Sequence, residues 1–378
     1  MGGIMLFIDW LTVTQLHPEG GLPIIGDKMV LIHDMETGEI DRESPNKKII
    51  EGSYSSKLTI RCDGFRVYVD GNPSRWHRKD NLFGLETFDD CIKVYNSILL
   101  KYSLPPFTKC TYLDWAQGND GGKARRITDG AVFNRVDWTQ NLSVGKGNEG
   151  HFLRALSTQS FGRNMHPHLY PNGSTLDWST KPGEKKGSTY YYHKIYIKAD
   201  ELRIKLKKQK RKSAKEELDY LSKIIEYCDE LGIVRNEKEF KRTFLNRKKL
   251  CFYGMTQETE FTKYLGDIET IIERLEMSAF DYETIADQLI DKQIVKSRHA
   301  ANATQGYALA WLHNQTLKKN SQFYVHRARL LELGIDIAIK HDASKTMPQI
   351  KRVRDIHVST ALPPSWYEMP KTHNLRAA

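Results

Sequence analysis

The chain's 378 residues carry a formal net charge of +10, with 39% hydrophobic and 10% aromatic residues. That is too much apolar matter for a disordered chain and enough to bury the cores of two domains. The excess of 57 Lys and Arg over 47 Asp and Glu points to a polyanionic partner. No apolar run reaches the roughly 20 residues of a membrane span, and no leader marks export. The five cysteines (Cys62, Cys91, Cys110, Cys228, Cys251) form no CxxC pair. The expectation is therefore a cytoplasmic protein with reduced thiols, not a disulfide scaffold, a zinc site or a membrane protein.

In chain order, Met1-Gly-Gly-Ile precedes a second candidate start at Met5. Met5 to Thr14 is β-branched and aromatic and reads as a buried strand. Lys57–Cys62 and Phe65–Asp70 alternate on either side of Asp63-Gly64, a hairpin signal. Phe88 to Tyr102 has helical apolar spacing and stops ahead of Pro105-Pro106. Ala131 to Trp138 is another strand, and residues 146–156 a helix. A loop rich in Pro, Gly and Asn leads to Thr189-Tyr-Tyr-Tyr-His-Lys-Ile-Tyr-Ile-Lys198. Ala199 to Cys228 reads as one long helix opened by the basic run Arg203 to Lys212, and Ile233 to Phe240 as a returning strand. Beyond about residue 260 the pattern is helical, over 262–277, 281–296, 304–313 and 321–333. The expected class is α+β: residues 1–260 on a mostly antiparallel sheet with flanking helices, then an all-helical domain over 261–378.

Alternation in the tyrosine-lysine strand places Tyr190, Tyr192, Lys194, Tyr196 and Lys198 on one face. Flanking ammonium groups favour phenolate, and an activated tyrosine can attack phosphorus and hold a nucleic-acid end covalently. The plain alternative is a half-exposed edge strand, which both residue types also suit. The basic run offers Arg203, Lys205, Lys207, Lys208, Lys210 and Arg211 for tracking phosphates, although a solvated helix face has the same look. Tyr190 to Tyr192 offer rings for stacking single-stranded bases. Thr304–His313 and Ser321–Leu331 read as two helices joined by a short turn. The second presents Gln322, Tyr324, His326 and Arg329, as a helix-turn-helix reading a duplex would, or the two form an ordinary hairpin.

Several segments resemble, in the same order, the gene II replication initiators of filamentous phages. Met5-Leu-Phe-Ile-Asp-Trp-Leu-Thr-Val13 is similar to the family's opening strand. Gly71-Asn-Pro-Ser-Arg75 and Asp80-Asn-Leu-Phe-Gly84 resemble its G-N-P-x-K and H-N-x-F-G box. Asn134-Arg-Val-Asp137 resembles its R-x-D strand, Ser174-Thr-Leu-Asp-Trp178 the segment before its tyrosine, and Val234-Arg-Asn-Glu237 its V-R-F-E strand. Arg352-Val-Arg-Asp355 through Pro364-Ser-Trp-Tyr-Glu-Met-Pro370 looks like its closing segment. The resemblance covers nearly the whole chain, and its force lies in collinear order rather than in any single motif.

The resemblance implies a rolling-circle initiator with an HUH-nickase-like fold. Such an enzyme nicks one strand of supercoiled origin DNA, keeps the 5′ end on a tyrosine, leaves a 3′-OH and later rejoins the displaced strand. Ile195-Tyr-Ile-Lys198 matches the family's A-Y-x-K, which makes Tyr196 the nucleophile, with Lys198 and then Lys194 as its electrostatic partners. A bound Mg²⁺ or Mn²⁺ would polarise the scissile phosphate. Hard cations take oxygen ligands, and Asp9, Asp80, Asp137 and Glu237 lie in the matching segments. Each has a competing structural role: Asp137 in an ion pair with Arg135, Glu237 with Arg235 or Lys238.

The chain departs from the family box in carrying Asp80 where the box has histidine. His166-Pro-His168 superficially matches a two-histidine metal motif but sits in a loop with a proline, and His193 faces away from Tyr196. The implied partners are double- and single-stranded origin DNA, with host helicase and polymerase, in the bacterial cytoplasm and with no membrane. A non-catalytic DNA-binding repressor or packaging protein is the alternative. A tyrosine recombinase would need an Arg-His-Arg set on helices, which the sequence does not offer.

Overall fold

The computed structural model describes residues 5–117, 125–158, 165–179, 190–209, 214–266, 268, 272, 278–280, 284–339, 341 and 353–370. Residues 1–277 with 356–378 form one compact unit and residues 278–355 a second.

The first unit opens with β1 (Leu6–Leu16), β2 (Ile24–Ile25), β3 (Met29–His33), β4 (Ile40–Pro45), β5 (Lys48–Glu51), β6 (Lys57–Asp63) and β7 (Arg66–Gly71). Helix α1 (Phe88–Lys101), β8 (Asp114–Ala116), β9 (Arg125–Ile127), β10 (Val132–Ser143), α2 (Glu149–Leu156), β11 (His166–Leu169), β12 (Thr175–Ser179) and β13 (Tyr191–Ile197) follow. Then come α3 (Lys198–Gln209), α4 (Lys215–Leu231), β14 (Ile233–Lys241), α5 (Arg242–Lys248) and α6 (Thr259–Thr262). The main sheet runs β11-β12-β13-β14-β10-β1-β7-β6-β2, with β5 on β6. Its described pairings are antiparallel, as the hairpin-rich sequence predicts.

One face of this sheet is apolar. Ile8, Leu11, Val13, Ile60, Val67, Val69, Phe133, Val136 and Phe240 pack there with Phe88, Ile92, Tyr95 and Leu99 of α1. The helix forms where apolar residues recur every three to four positions. Thr87 caps its N-terminus by accepting from the Asp90 amide, and Asp89 and Asp90 in the first turn suit the helix dipole. The β6–β7 hairpin turns at Gly64 with φ +90°, which a side chain rarely adopts. Helix α4 ends at Gly232, with φ +59°, where a Cβ would meet the Gly145 carbonyl at 2.1 Å.

The predicted long helix over Ala199–Cys228 is two helices. Ala214 is extended (φ −63°, ψ 152°) where α4 begins, and the end of the basic run lies outside the described residues. His166-Pro-His168 lies in an edge strand rather than a loop. Pairing on one side only leaves room for Pro167.

The second unit holds a two-stranded ladder of β15 (Ser278–Phe280) with β16 (Val353–Asp355), and helices α7 (Ile285–Asp291), α8 (Arg298–Leu312) and α9 (Ser321–Leu331). It is therefore not wholly helical, because that ladder pairs residues too far apart in the chain to read as one pattern. Thr284 and Asp287 make a capping box at α7. The α8–α9 connection spans eight residues, 313–320, longer than the expected short turn. Nor do residues 261–378 form one continuous domain. Strand β17 (Ser359–Thr360) pairs with β10, and Tyr367 belongs to an apolar cluster with Leu82, Phe83, Ala199, Leu202 and Cys228 in the first unit.

Candidate active site

The second face of the sheet is polar, and the tyrosine-lysine strand crosses it. On β13 the odd member His193 turns away; it is buried, stacked on Trp178 at 4.9 Å and bonded to Asn236 at 2.6 Å. Tyr192, Lys194 and Tyr196 face the polar side, opposite Glu239, Glu237 and Arg235 of β14. Lys198 no longer belongs to the strand but opens α3.

The Tyr196 hydroxyl donates to Glu237 Oε1 at 2.5 Å, and Lys194 Nζ meets Glu237 Oε2 at 2.6 Å. Glu237 is thus divided between a phenol and an ammonium. Its cross-strand partner is Lys194, not the expected Arg235 or Lys238, because register sets Lys194 directly opposite. Lys238 instead donates to the Tyr264 carbonyl. Although burial works against ionisation, Lys194 and Arg235 hold the Glu237 carboxyl below its ordinary value.

The expectation that the lysines acidify the phenol does not hold. Burial, and after it the charge of Glu237, push Tyr196 well above its ordinary value. Lys194 and Lys198 lie 5.2 and 5.9 Å from its ring centroid. Lys194 spends its charge on Glu237. The Lys198 side chain is 1% exposed and pairs with Glu201 at 2.7 Å. The resting phenol is therefore a neutral hydroxyl aimed at a carboxylate.

The segment Gly71–Gly84 frames this group. Asn72 and Asn81 both donate to Asp9 Oδ1, at 2.7 and 2.9 Å, and Asn81 Oδ1 receives Lys198 Nζ at 3.3 Å. Arg235, fully buried, donates to the Asn81 and Leu82 carbonyls and to Asn141 Oδ1. Its Nη1 has no hydrogen-bond partner and lies 4.0 Å from Asp9 Oδ2. Lys198, Arg235 and Asp9 thereby bring their charges to Tyr196, and Asn81 links the three.

The four expected metal ligands do not converge. Asp137 is held bidentately by Arg135 at 2.7 and 2.6 Å, with Glu239 on the same guanidinium at 3.1 Å. Burial, reinforced by Glu239 and Glu237, pushes the Asp137 carboxyl up to about 7 in spite of Arg135. Asp80 is buried and accepts from the Leu82 amide, Tyr220 and Tyr367, so both its oxygens bind the interior. Glu237 is committed to Tyr196 and Lys194. Among the described residues no three His, Cys, Asp or Glu gather as a metal cage. Asp9, whose hydrogen-bond donors among the described residues are the Asn72 and Asn81 amides, with Arg235 at 4.0 Å, fits the open arrangement of one carboxylate plus phosphate oxygens that Mg²⁺ favours.

The expected DNA contacts fare unevenly. Arg203 is tied to Asp200 and Asp229. Lys205 is half-buried, and burial beside Arg75 and Lys198 lowers it to about 8. Lys207 and Lys208 are exposed, while Lys210 and Arg211 lie outside the described residues. Tyr192 donates to Asp177 at 2.6 Å. In the second unit Arg329 donates to Thr304, and His326 is buried against Tyr307, so of the four groups expected in a groove only Gln322 and Tyr324 are exposed. Sequence reasoning missed Asp177, which is fully buried and receives both Tyr192 and Tyr170, with His168 Nδ1 at 3.4 Å. It also gave Arg235 no role at the site; its signal was its place two residues before Glu237.

The profile of the family described as Replication-associated protein G2P N-terminal matches residues 7–264, and that of Replication-associated protein G2P C-terminal matches residues 289–373. The chain is similar to the Replication-associated protein G2P of Escherichia phage If1, 40% identical over 326 residues, 85% of this chain and 99% of that protein. It is also similar to the Replication-associated protein G2P of Enterobacteria phage I2-2, 22% identical over 376 residues, 96% of each. No solved structure matches. No helix among the described residues is long and apolar enough to cross a membrane.

Proposed function

Because the chain belongs to the Replication-associated protein G2P family of filamentous phages, we propose that it is a rolling-circle initiator that nicks and rejoins origin DNA through Tyr196. The observation that carries the reading is the Tyr196–Glu237–Lys194 unit, a nucleophile within hydrogen-bond reach of a base that is itself oriented by a third group.

The step is in-line transesterification. The Tyr196 oxygen forms a bond to the scissile phosphorus as Glu237 takes the phenolic proton, and the P–O3′ bond breaks. The departing 3′ oxygen needs one proton, the number Glu237 has gained, so the exchange consumes none overall. The 5′ end stays esterified to Tyr196. Rejoining is the reverse: a 3′-OH attacks the phosphotyrosine and the phenolate recovers its proton.

Arg235 supplies positive charge beside the Tyr196 oxygen, while Lys194 orients Glu237. Were a divalent cation, Mg²⁺ or Mn²⁺, bound, Asp9 would be the residue to hold it, and it would supply Lewis-acid polarisation of the scissile phosphate. The implied partners are origin DNA and the host helicase and polymerase, in the host cytoplasm. An HUH-nickase-like active centre is part of the same reading.

The test is Tyr196→Phe with supercoiled origin DNA and Mg²⁺ or Mn²⁺. The expected result is loss of both the nicked product and the covalent protein–DNA adduct. Nicking with an adduct in this variant would reject the assignment. DNA binding by the unaltered protein without any cutting would favour a repressor or packaging role.

A further inference from the structure

Much of the positive charge considered so far is committed to carboxylates: Arg135 to Asp137, Arg203 to Asp200 and Asp229, Lys194 to Glu237. Uncommitted charge collects elsewhere in the first unit, in a cleft of about 810 Å³ floored by Thr12, Thr14 and Asn134. Five arginines line it (Arg61, Arg66, Arg126, Arg242 and Arg247), and its lining includes no Asp or Glu among the described residues. None of the five pairs with a described carboxylate. Trp115 stands on its wall, 61% exposed, with the Arg126 guanidinium 5.1 Å from its ring.

The cleft lies along the polar face. Thr12 is the register partner of Arg135, the residue that holds Asp137. Arg247 donates to the Tyr190 hydroxyl at 2.6 Å. Tyr190 precedes Tyr196 by six residues, on the order of 20 Å along an extended strand. A strand of DNA whose phosphate reaches Tyr196 can therefore continue along the face into the cleft. An exposed indole among guanidinium groups that no carboxylate among the described residues neutralises matches the two needs of an unpaired strand, a ring for a base and cations for phosphates. A duplex would keep its bases stacked on each other and leave the indole unused.

We infer that this cleft seats the single-stranded DNA adjoining the scissile phosphate, with a base stacked on Trp115 and the phosphates followed by Arg61, Arg66, Arg126, Arg242 and Arg247. The inference rests on the nicking reading, and its test is kept separate from catalysis. Full-length Tyr196→Phe protein, which cannot form the adduct, is titrated into a labelled oligodeoxythymidine across a range of salt, with fluorescence anisotropy as the readout. Adding Trp115→Ala is expected to weaken binding about tenfold. Adding Arg126→Gln with Arg247→Gln is expected to lower the slope of log K against log salt by about 1.4, at about 0.7 for each phosphate no longer neutralised. Lysine at the same two positions is expected to keep the slope, which separates missing charge from a damaged fold. Unchanged affinity and slope in the glutamine variant would overturn the inference, as would an equal loss for a duplex oligonucleotide. Should Tyr196→Phe still nick, the catalytic assignment fails while the binding result stands.

Discussion

Tyr192 donates its hydroxyl to Asp177 across 2.6 Å, repeating four residues earlier on the same strand the contact that Tyr196 makes with Glu237. The two pairs differ in their surroundings. Asp177 also receives Tyr170, whereas Glu237 is shared with an ammonium group and faces Asp9 and Arg235.

Tyr192→Phe is therefore expected to keep nicking and the covalent adduct. It loses one hydrogen bond to a buried carboxylate, about 1.5–3 kcal/mol, which urea unfolding would measure. Loss of the adduct with an unchanged unfolding midpoint would give Tyr192 a chemical role instead.

Glu237→Gln removes the proton acceptor while keeping the shape. Nicking is expected to fall by about 10²–10⁴-fold under single-turnover conditions, with oligonucleotide affinity held within a few-fold. The carboxyl's folded pKa lies below its unfolded value, so its stabilising effect is present above pH ~4.3 and is lost as pH falls through the folded value. The wild-type protein should lose that increment on acidification and the glutamine variant should not.

Asp137 has the opposite sign. Its folded pKa of about 7 exceeds the unfolded ~3.9, so the folded state binds the extra proton between these limits. Stability from this group is full below pH ~4 and declines as pH rises through about 7. Asp137→Asn should flatten that decline in unfolding free energy between pH 4 and 8. An identical decline in both proteins would show that another group titrates there.

Asp80→Ala leaves Tyr367, Tyr220 and the Leu82 amide without their acceptor, with an expected loss of about 3 kcal/mol. The Mg²⁺ concentration needed for half-maximal nicking should not move at a temperature where the variant is folded. Asp9→Asn is expected to raise that concentration about tenfold with little change in melting temperature. The reverse pattern would make Asp80 the cation's ligand.

Much of the sheet was legible because its signals are local. The Asp63-Gly64 turn, the alternation of β6 and β7 and the helical apolar spacing of α1 each lie within a few residues of what they control. The opposition of Lys194 and Glu237 was not legible: their strands are separated in the chain by two helices, and which residues face each other depends on register rather than spacing. The extended Ala214 was hidden for another reason, since alanine is the best helix former and gives no sign of a break. The Trp115 cleft escaped notice because its arginines come from three separate stretches of chain that only the fold brings together.

The hydroxyl of Tyr367 reaches Asp80, the Phe83 amide and Arg78, 287, 284 and 289 residues back along the chain, beside the Asn81 that steadies Asp9 and Lys198. A ribosome emits Tyr367 long after every strand around Tyr196 has emerged. Until then the loop that carries Asn81 lacks its clasp, and so does the frame around the tyrosine. The frame around Tyr196 is thus closed by a contact of very long sequence separation, which the entropy of closing so long a loop makes late to form.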